Sequence, residues 1–419
     1  MSAAVDTKLN PRRAGALALL AALGPGIVAA SAGNDAGGIS TYSVDGASYG
    51  YATLWMIFVM TFSLVVVQEM AARMGAVTGK GFSALIRERY GVRPTLFAML
   101  ALLTSNAATS VAEFAGIAAA LEIFGISRYI SVPVAAVFVW LLVVRGSYRN
   151  VEKVFLALSA IFITYVFAAF FAKPDWGEVL HATFVPTFIP QARFVLLVIA
   201  TVGTTIAPWM QFFVQSNIVD KGVSAKELNY QRVDVISGAI SANIIAWFII
   251  VTTGTVLYPL GTEISGAEQA AQALAPVAGQ YASTLFAAGL LGASLLAACV
   301  LPLTAAYAIT EAFGWERGID RTWAEAPAFN TIYTFVIVFG AVLVLIPSVP
   351  LITIMVLSQA VNGILLPFLL IFQMGIVNDR RIMGRYVNGR TFNVLAWTTI
   401  VVVIGLTVAL LAMTVLGVN

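Results

Sequence analysis

The sequence predicts an all-α polytopic membrane protein of about eleven transmembrane helices, built as two inverted five-helix repeats with one extra helix. Three observations lead to this prediction: the composition, the recurrence of apolar runs, and two interrupted runs at corresponding places. Of the 419 residues, 60% are hydrophobic and only 10% are charged, whereas soluble domains carry roughly 25% charged residues. The mean hydropathy is +0.92. A soluble globular protein is therefore excluded.

Apolar runs long enough to cross a bilayer recur along nearly the whole chain. They place the spans at residues 14–44, 51–74, 94–125, 128–145, 150–172, 190–217, 232–258, 277–312, 329–348, 350–375 and 391–417. The first apolar run is too long for a cleaved signal peptide and is expected to be retained. We expect a tail at 1–13, repeats at 14–172 and 190–375, and an eleventh helix at 391–417.

The distribution of basic residues predicts the orientation. With the N-terminus inside, all but three of the 23 Lys and Arg residues fall in inner segments, and only Arg128, Lys173 and Arg193 lie outside. Cytoplasmic segments carry such an excess of basic residues. We therefore expect a multi-pass protein of the cell membrane with a cytoplasmic N-terminus and an outer C-terminus.

Two spans are interrupted. Span 1 contains Asp35 among glycines, and a carboxylate at membrane depth costs at least about 2.5 kcal/mol. Span 6 contains Pro208, which removes a backbone donor and should leave the carbonyl of Thr204 and its neighbours free. Each span opens a group of five helices. Interruptions at corresponding places in two halves are typical of inverted-repeat transporters, which bind substrate between the broken helices.

Further polar side chains are predicted to face inward. In span 3, Asn106, Thr109, Ser110 and Glu113 share one helical face. The three neutral residues are expected to form interhelical hydrogen bonds, whereas Glu113 could equally line a cavity. Gln359 in span 10 could line the same cavity or serve packing. Among the acidic residues, only Asp35 and Glu113 are expected deep in the membrane.

Two other side chains have a local interpretation. Glu69 is expected to pair with Arg73 one helical turn away. Met210, which follows the break in span 6, is expected to fill the core, although a shifted break would bring it into the ligand position between the broken helices.

Several function classes are excluded by what the sequence lacks. The single histidine, His181, and the single cysteine, Cys299, exclude a multi-histidine metalloenzyme, a Ser/His/Asp hydrolase and a cysteine-based metal cluster. The phosphate-binding loop motif of ATPases is missing from the sequence. The net charge is only +3, and the sequence contains no run of basic residues suited to binding nucleic acid. We predict a protein that is not an enzyme, has no cofactor and does not bind nucleic acid.

Short motifs along nearly the whole chain carry a family resemblance. They are Gly24-Pro25-Gly26, the Asp35 break, Gly46–Tyr51, Val77–Lys80, Leu85–Arg89, Asp175–Glu178, and Leu357-Ser358-Gln359 through Pro367-Phe368. Through them the chain resembles the Nramp family of divalent metal transporters. The resemblance implies a LeuT-like fold with the metal held between broken helices one and six.

The chain departs from the family pattern at the metal ligands. The family's Asp-Pro-Gly-Asn keeps its aspartate as Asp35, but its asparagine ligand becomes Gly38. The usual Met-Pro-His of the sixth helix becomes Ala207-Pro208-Trp209. The soft thioether ligand and the histidine linked to proton movement are therefore both replaced.

Other departures concern proton coupling. The family's aspartate in span 3 corresponds to Ser110, although its glutamate is kept as Glu113. The paired arginines near the start of span 9 are replaced, with Phe329 and Asn330 in that region. The pattern resembles the Nramp-related magnesium transporter branch and argues against the usual proton coupling.

The sequence thus predicts a monomeric transporter in the lipid bilayer that imports hydrated Mg²⁺, with Mn²⁺ also accepted, because Mg²⁺ prefers oxygen ligands and keeps several waters. The predicted metal-site residues are Asp35, Ala32, Gly38, Thr204, Ala207, Glu113 and Gln359. Asp35 is the central ligand, and Ala32 and Thr204 offer freed carbonyls. Gly38 and Ala207 leave room for water.

Three alternatives stay open. One is a proton-coupled Mn²⁺/Fe²⁺ transporter of the ordinary Nramp type. Another is a sodium-coupled amino-acid transporter of the same fold, in which unwound helix ends bind a carboxylate. The third is a membrane-embedded sensor or scaffold, which the lack of a sizeable soluble domain in the sequence disfavours.

Overall fold

The structure is a computed structural model that describes residues 33–144, 160–318 and 321–416. Every regular element in these ranges is helical. The α-helices are α1 (Ala36–Tyr49), α2 (Leu54–Thr78), α3 (Phe82–Tyr90), α4 (Val92–Glu122), α5 (Arg128–Val144), α6 (Thr164–Ala172), α7 (Trp176–Phe184), α8 (Ala192–Thr205), α9 (Pro208–Asp220), α10 (Leu228–Val256), α11 (Ala267–Ala271), α12 (Ala275–Ala278), α13 (Ala282–Phe313), α14 (Pro327–Val344), α15 (Leu351–Val377), α16 (Arg380–Met383) and α17 (Arg390–Leu416). Short 3₁₀ turns lie at Ala160–Ile163, Tyr258–Leu260, Gln272–Leu274, Gly279–Tyr281 and Gly384–Tyr386.

The helices confirm the predicted all-α class. Eight helical segments in the described ranges are long and apolar enough to cross a membrane, and they coincide with predicted spans 2, 3 and 6 to 11. Predicted spans 4 and 5 correspond to the shorter apolar helices Arg128–Leu142 and Ile161–Ala172, next to residues 145–159, which lie outside the described ranges. Most of predicted span 1, residues 14–32, also lies outside them.

The predicted end of span 1 is wrong by five residues. The prediction stopped at residue 44, before Asp45, but α1 continues to Tyr49. Asp45 is completely buried inside this helix. The helix ends instead at Gly50, whose φ of 59° is a left-handed conformation that glycine adopts readily. The expectation that only Asp35 and Glu113 lie deep therefore missed a third acid.

Span 6 is one membrane crossing built from two half-helices. α8 ends at Thr205 and α9 begins at Pro208, and together they form the most completely buried candidate span, with 94% of its apolar window inside the protein. Such burial places the break at the centre of the helix bundle. The backbone groups left unpaired by this helix break need polar partners, because no water is available in the bilayer core to bond with them.

Small residues let the helices around this break touch backbone to backbone. A methyl group on Gly203 of α8 would overlap the Gln359 carbonyl of α15, and one on Gly363 would overlap the Ile199 carbonyl. Close approach through small residues is the ordinary way in which membrane helices pack. The packing brings α15 directly against the end of α8.

The predicted local pair near the inner end of span 2 is confirmed. Arg73 Nη2 lies 3.0 Å from Glu69 Oε2, and Arg232 of α10 contacts the other carboxylate oxygen of Glu69 at 2.7 Å. Arg73 also donates to the Tyr386 carbonyl at 2.7 Å and to the Asn388 amide oxygen. The pair thus belongs to a larger network that joins α2, α10 and the segment before α17.

Candidate metal centre

Asp35 lies in the first break, between Gly33 and the start of α1. It is the N-cap of α1, with extended backbone, and its Oδ1 accepts a hydrogen bond from the Gly38 amide at 2.7 Å. The side chain is almost completely buried, with 2% of the residue exposed. The partial positive charge at a helix N-terminus stabilises a carboxylate in this position. The helix start therefore holds a negative charge inside the membrane.

The second break lies where Pro208 predicts it. Ala207 is the extended N-cap residue and Pro208 is the first residue of α9. In a continuous helix the Thr204 carbonyl would bond to the amide of residue 208, which proline lacks. The Thr204 hydroxyl is buried without a hydrogen-bond partner in the described part of the chain. Oxygen atoms of Thr204 are thus available at the end of α8.

The two breaks meet at Gly38. A methyl group placed on Gly38 would lie 2.8 Å from Thr204 Oγ1, 3.1 Å from the Gly33 carbonyl oxygen and 3.3 Å from Asp35 Oδ1. The small space beside Gly38 is therefore bounded by a hydroxyl, a carbonyl and a carboxylate oxygen. Since even a methyl group would crowd these oxygens, glycine is what allows them to lie around one point.

Glu113 and Gln359 approach the same region from α4 and α15. Glu113 Oε2 accepts a hydrogen bond from the Ala36 amide at 3.3 Å, in the first turn of α1. The Gln359 amide lies directly on the Gly37 backbone, where a methyl group would overlap it. Glu113 Oε1 and Gln359 Nε2 are buried without partners among the described residues. Each side chain therefore has one polar atom that is not engaged by another described residue.

The electrostatics of this region favour a cation. Asp35 and Glu113 are both buried, and none of the ion pairs in the described ranges involves either residue. The C-terminal end of α8 adds the partial negative charge of a helix dipole. A buried carboxylate without a positive partner is strongly destabilising. A bound cation would therefore stabilise the charges of both Asp35 and Glu113.

The atoms that could coordinate a metal ion here are mostly oxygens, but few of them carry a charge. Within the described ranges there is no group of three or more His, Cys, Asp or Glu side chains that could hold a metal ion. A cation here would therefore complete its coordination with carbonyl oxygens and waters. Mg²⁺ is bound in this way in proteins, through one or two carboxylates with several waters retained.

The structure brings most of the predicted site residues together. Asp35, Gly38 and Thr204 meet at one space, and Glu113 and Gln359 contact the first turn of α1 beside it. Ala207 is buried at the start of α9 and forms the second break itself. Ala32 lies outside the described residues.

The neutral residues on the Glu113 face of α4 serve helix packing. Asn106 donates to the Leu301 carbonyl of α13 at 3.0 Å, and Thr109 accepts from Asn362 of α15 at 2.8 Å. Asn362 also donates to Gln359 Oε1 at 2.9 Å. Ser110 lies against Gly340 of α14. The contacts of Asn106 and Thr109 match the expected interhelical hydrogen bonds and leave Asn362 fully engaged. The expectation is wrong for Ser110, whose hydroxyl is buried without a hydrogen-bond partner among the described residues.

Met210 lies near the site but outside the oxygen-bounded space. Its methyl group contacts Gly33, and its sulfur accepts a hydrogen bond from Gln68 at 3.5 Å. Because α9 begins at Pro208, the break is not shifted toward Met210. The neighbouring Trp209 is buried, with its ring packed edge-on against Phe213.

Two groups at or near the site were missed by the sequence reasoning. The Gly33 carbonyl contributes an oxygen that no side-chain pattern could indicate. Asp45 is buried in α1, where its Oδ2 accepts a hydrogen bond from Thr201 at 2.6 Å. A signal for Asp45 was present, since it lies ten residues after Asp35 and therefore near the same face of a helix.

Comparisons with known proteins show which proteins the chain is similar to. The family model described as natural resistance-associated macrophage protein-like (Nramp) matches residues 26–413. The divalent metal cation transporter MntH of Bacillus subtilis (strain 168) is 26% identical over 420 residues, which cover 98% of this chain and 96% of that protein. The sequence likeness thus runs nearly the whole length of both proteins.

Solved structures share the fold. A crystal structure of the Eremococcus coleocola manganese transporter aligns with a TM-score of 0.74 at 22% identity, covering 95% of this chain and 86% of the other. Mhp1, a nucleobase-cation-symport-1 family transporter, aligns with a TM-score of 0.57 at 16% identity, covering 93% and 91%. The predicted LeuT-like fold class is confirmed by these likenesses.

Proposed function

The chain belongs to the Nramp family, and from that premise we propose that it imports a largely hydrated Mg²⁺ ion by alternating access, with Mn²⁺ also accepted, and without the usual proton coupling. Family membership makes it a membrane transporter and not an enzyme. The proposal includes a monomer in the cell membrane, a cytoplasmic N-terminus, an outer C-terminus and repeats at 14–172 and 190–375.

The observation that carries the proposal is the oxygen-bounded space beside Gly38. Its nearest atoms are the oxygens of Thr204, Gly33 and Asp35, and no sulfur is among them. Carboxylate, carbonyl and water ligands suit Mg²⁺ and Mn²⁺, whereas a thioether favours softer metals. With one carboxylate at the centre, most of the ion's waters would be retained.

Each element of the site has a separate task in this proposal. Asp35 binds the cation, and the carbonyl groups freed at the two breaks replace some of its waters. Gly38 and Ala207 leave room for the waters that stay. Glu113 and Gln359 hold the hydration shell from α4 and α15. Helix ends suit this task because they move with small changes of backbone angle at the breaks.

The membrane potential can supply the driving force for import. A divalent cation moving inward gains about 4.6 kcal/mol per 100 mV, twice the value for a single charge. The positions where the family resemblance places proton-handling groups hold Trp209, Ser110, Phe329 and Asn330, which do not titrate near neutral pH. All four are buried. A coupled proton is then neither needed nor provided for at these positions.

A second candidate is an ordinary transition-metal transporter. The relatives are named divalent metal cation transporters, and the solved neighbour is a manganese transporter. Met210 favours this candidate, because its thioether lies beside Gly33. The sodium-coupled amino-acid transporter is disfavoured, since Asp35 would repel the carboxylate of an amino acid.

Metal flux into proteoliposomes tests the proposal. The purified protein and the Asp35→Ala variant are reconstituted with a Mg²⁺-sensitive dye and a pH dye inside the vesicles. We expect Mg²⁺ influx that depends on Asp35 and is not accompanied by acidification. Unchanged influx in the variant would refute the site, and acidification that follows metal influx would refute the uncoupled mechanism.

Competition between metals separates the two candidates. With external Mg²⁺ fixed, Mn²⁺, Cd²⁺ and Fe²⁺ are added in turn. The proposal expects Mn²⁺ to compete and Cd²⁺ to compete weakly, because Cd²⁺ prefers sulfur. Strong Cd²⁺ or Fe²⁺ transport with weak Mg²⁺ transport would instead establish the transition-metal transporter.

A further inference from the structure

One face of α1 carries polar residues along its whole length. Gly38, Tyr42, Asp45 and Tyr49 lie 3, 7, 10 and 14 residues after Asp35, a spacing that places all of them on one side of a helix. Asp45 is about 15 Å from Asp35 along the axis at 1.5 Å per residue. We call the contact between this face and α8 the α1–α8 seam.

Hydroxyl oxygens of α8 oppose this face at Tyr42 and Asp45. The Tyr42 hydroxyl lies 3.0 Å from Thr205 Oγ1, and Asp45 Oδ2 accepts a hydrogen bond from Thr201 Oγ1 at 2.6 Å. At the far end the Tyr49 ring packs edge-on against Phe194, with ring centroids 5.0 Å apart. The seam is therefore polar from the metal site to within one turn of the end of α1.

Only one carboxylate oxygen of Asp45 accepts a hydrogen bond in this seam. It is completely buried, yet its Oδ1 has no hydrogen-bond partner among the described residues. None of the ion pairs in the described ranges involves it. An asparagine would satisfy Thr201 equally well without a charge, so a purely structural role does not explain the carboxylate. Buried ionisable residues of membrane proteins mark ion pathways by default.

We propose that the α1–α8 seam is the outer access route of the transported divalent cation, with Asp45 and Thr201 as a second binding station. This inference rests on the proposed function. Asp45 Oδ1 and Thr204 Oγ1 both lack hydrogen-bond partners among the described residues, and they mark the second station and the inner end of the route. Between them the hydroxyls of Tyr42 and Thr205 replace waters of the passing ion. Transport through several weak sites allows an ion both to enter and to leave.

The packing indicates where this route opens. The α1 backbone lies directly on α10, since a methyl group on Gly46 would be 2.6 Å from the Ile250 carbonyl oxygen. Contacts with α8 are made by side-chain hydroxyls instead, which can exchange partners when the helices separate. The seam is closed in this structure, and a cation enters from the Tyr49 end when α1 and α8 move apart.

The test compares the kinetics of Mg²⁺ uptake, repeated with Mn²⁺, for full-length variants in proteoliposomes. Asp45→Asn keeps the shape of the side chain and removes its charge. We expect the KM for the cation to rise about tenfold with a smaller change in kcat, because a charged entrance raises the local ion concentration. Thr201→Val is expected to raise KM by about threefold, and Asp45→Glu to restore most of the affinity.

Thr252→Val is the matched control. Thr252 is a buried threonine on α10 that bonds to the Tyr165 and Phe248 carbonyls and lies outside the seam. The KM of the Thr252→Val variant for the cation is expected to equal that of the wild type. If Asp45→Asn does not fold, Thr201→Val and Tyr42→Phe test the same route without changing a charge.

Three results would overturn the inference. One is an unchanged KM in Asp45→Asn when Asp35→Asn is inactive, which leaves the proposed function intact and removes only the route. Another is a changed pH profile with unchanged KM, which makes Asp45 a proton site. The third is a wild type that carries neither Mg²⁺ nor Mn²⁺, in which case the proposed function and the route fail together.

Discussion

The two helix breaks have the same position in their repeats but opposite chemistry. The first break contains a carboxylate, Asp35, whose side chain caps α1. The second break contains no ionisable residue, and α9 begins with Pro208 and without a side-chain cap. One break therefore contributes charge. The other contributes a carbonyl that has lost its donor and a hydroxyl that has no hydrogen-bond partner within the described ranges. The proposed cation site requires both.

The difference has a physical reason. A charge buried in a membrane protein needs fixed dipoles around it, and the amide of Gly38 together with the N-terminus of α1 supplies them for Asp35. Two carboxylates facing each other across the breaks would repel without the metal. A neutral second break avoids that repulsion and still lines the site with oxygen.

The largest effect is expected from removing the charge of the first break. Asp35→Asn keeps a good N-cap, since asparagine caps helices as well as aspartate does. Losing a buried partner of a charge costs about 2–5 kcal/mol, so we expect metal uptake to fall on the order of a hundredfold. The melting temperature without metal is expected to stay the same or to rise, because the variant no longer buries an unpaired charge. Uptake in proteoliposomes and a melting curve measure the two quantities.

Asp175→Asn is its matched control. Asp175 caps α7 in the same way, accepting from the amides of Gly177 and Glu178 at 2.8 and 3.2 Å, but it lies far from the breaks in sequence and is exposed. The control should transport like the wild type. Equal activity of the two variants would remove the distinction between the breaks.

A smaller effect is expected from filling the space where the breaks meet. In Gly38→Ala the added methyl group would lie 2.8 Å from Thr204 Oγ1, closer than carbon and oxygen normally pack. We expect the KM for Mg²⁺ to rise about tenfold while the protein remains folded, since alanine favours a helix over glycine by about 1 kcal/mol.

Gly405→Ala on α17 controls for the helix effect, because a methyl group there meets nothing within 4 Å. It should leave KM unchanged. A normal KM in Gly38→Ala would show that the cation does not use the oxygen-bounded space.

The smallest effect is expected from the neutral break. Thr204→Val removes a hydroxyl that has no partner in the described part of the chain. We expect KM to rise about threefold while the melting temperature stays the same or rises, because an unsatisfied buried hydroxyl costs about 1–3 kcal/mol. Uptake kinetics and a melting curve on one preparation measure both.

Thr304→Val provides the contrast. Thr304 is buried on α13 and its hydroxyl donates to the Val300 carbonyl at 2.8 Å. This variant should lose some stability and no transport. A Thr204→Val variant that is less stable and transports normally would contradict the role given to Thr204.

Much of the fold and part of the site follow from local sequence patterns. Apolar length predicted eight of the spans that the structure describes, and Pro208 predicted the second break to the residue. Asp35 among glycines predicted the first break. The end of α1 was missed because a charged residue is usually exposed, whereas Asp45 is buried against Thr201 of a helix more than 150 positions away in the chain.

The sequence by itself determined the membrane environment, the helical class and the two breaks, because hydrophobic length, glycine and proline act on the nearest few residues. Only the tertiary structure decided which oxygens meet. Thr204, Gly33 and Asp35 surround one space because α1 and α8 pack across the two repeats, and Glu113 reaches the Ala36 amide from 77 positions away. Such contacts depend on the packing of whole helices, which no local pattern encodes.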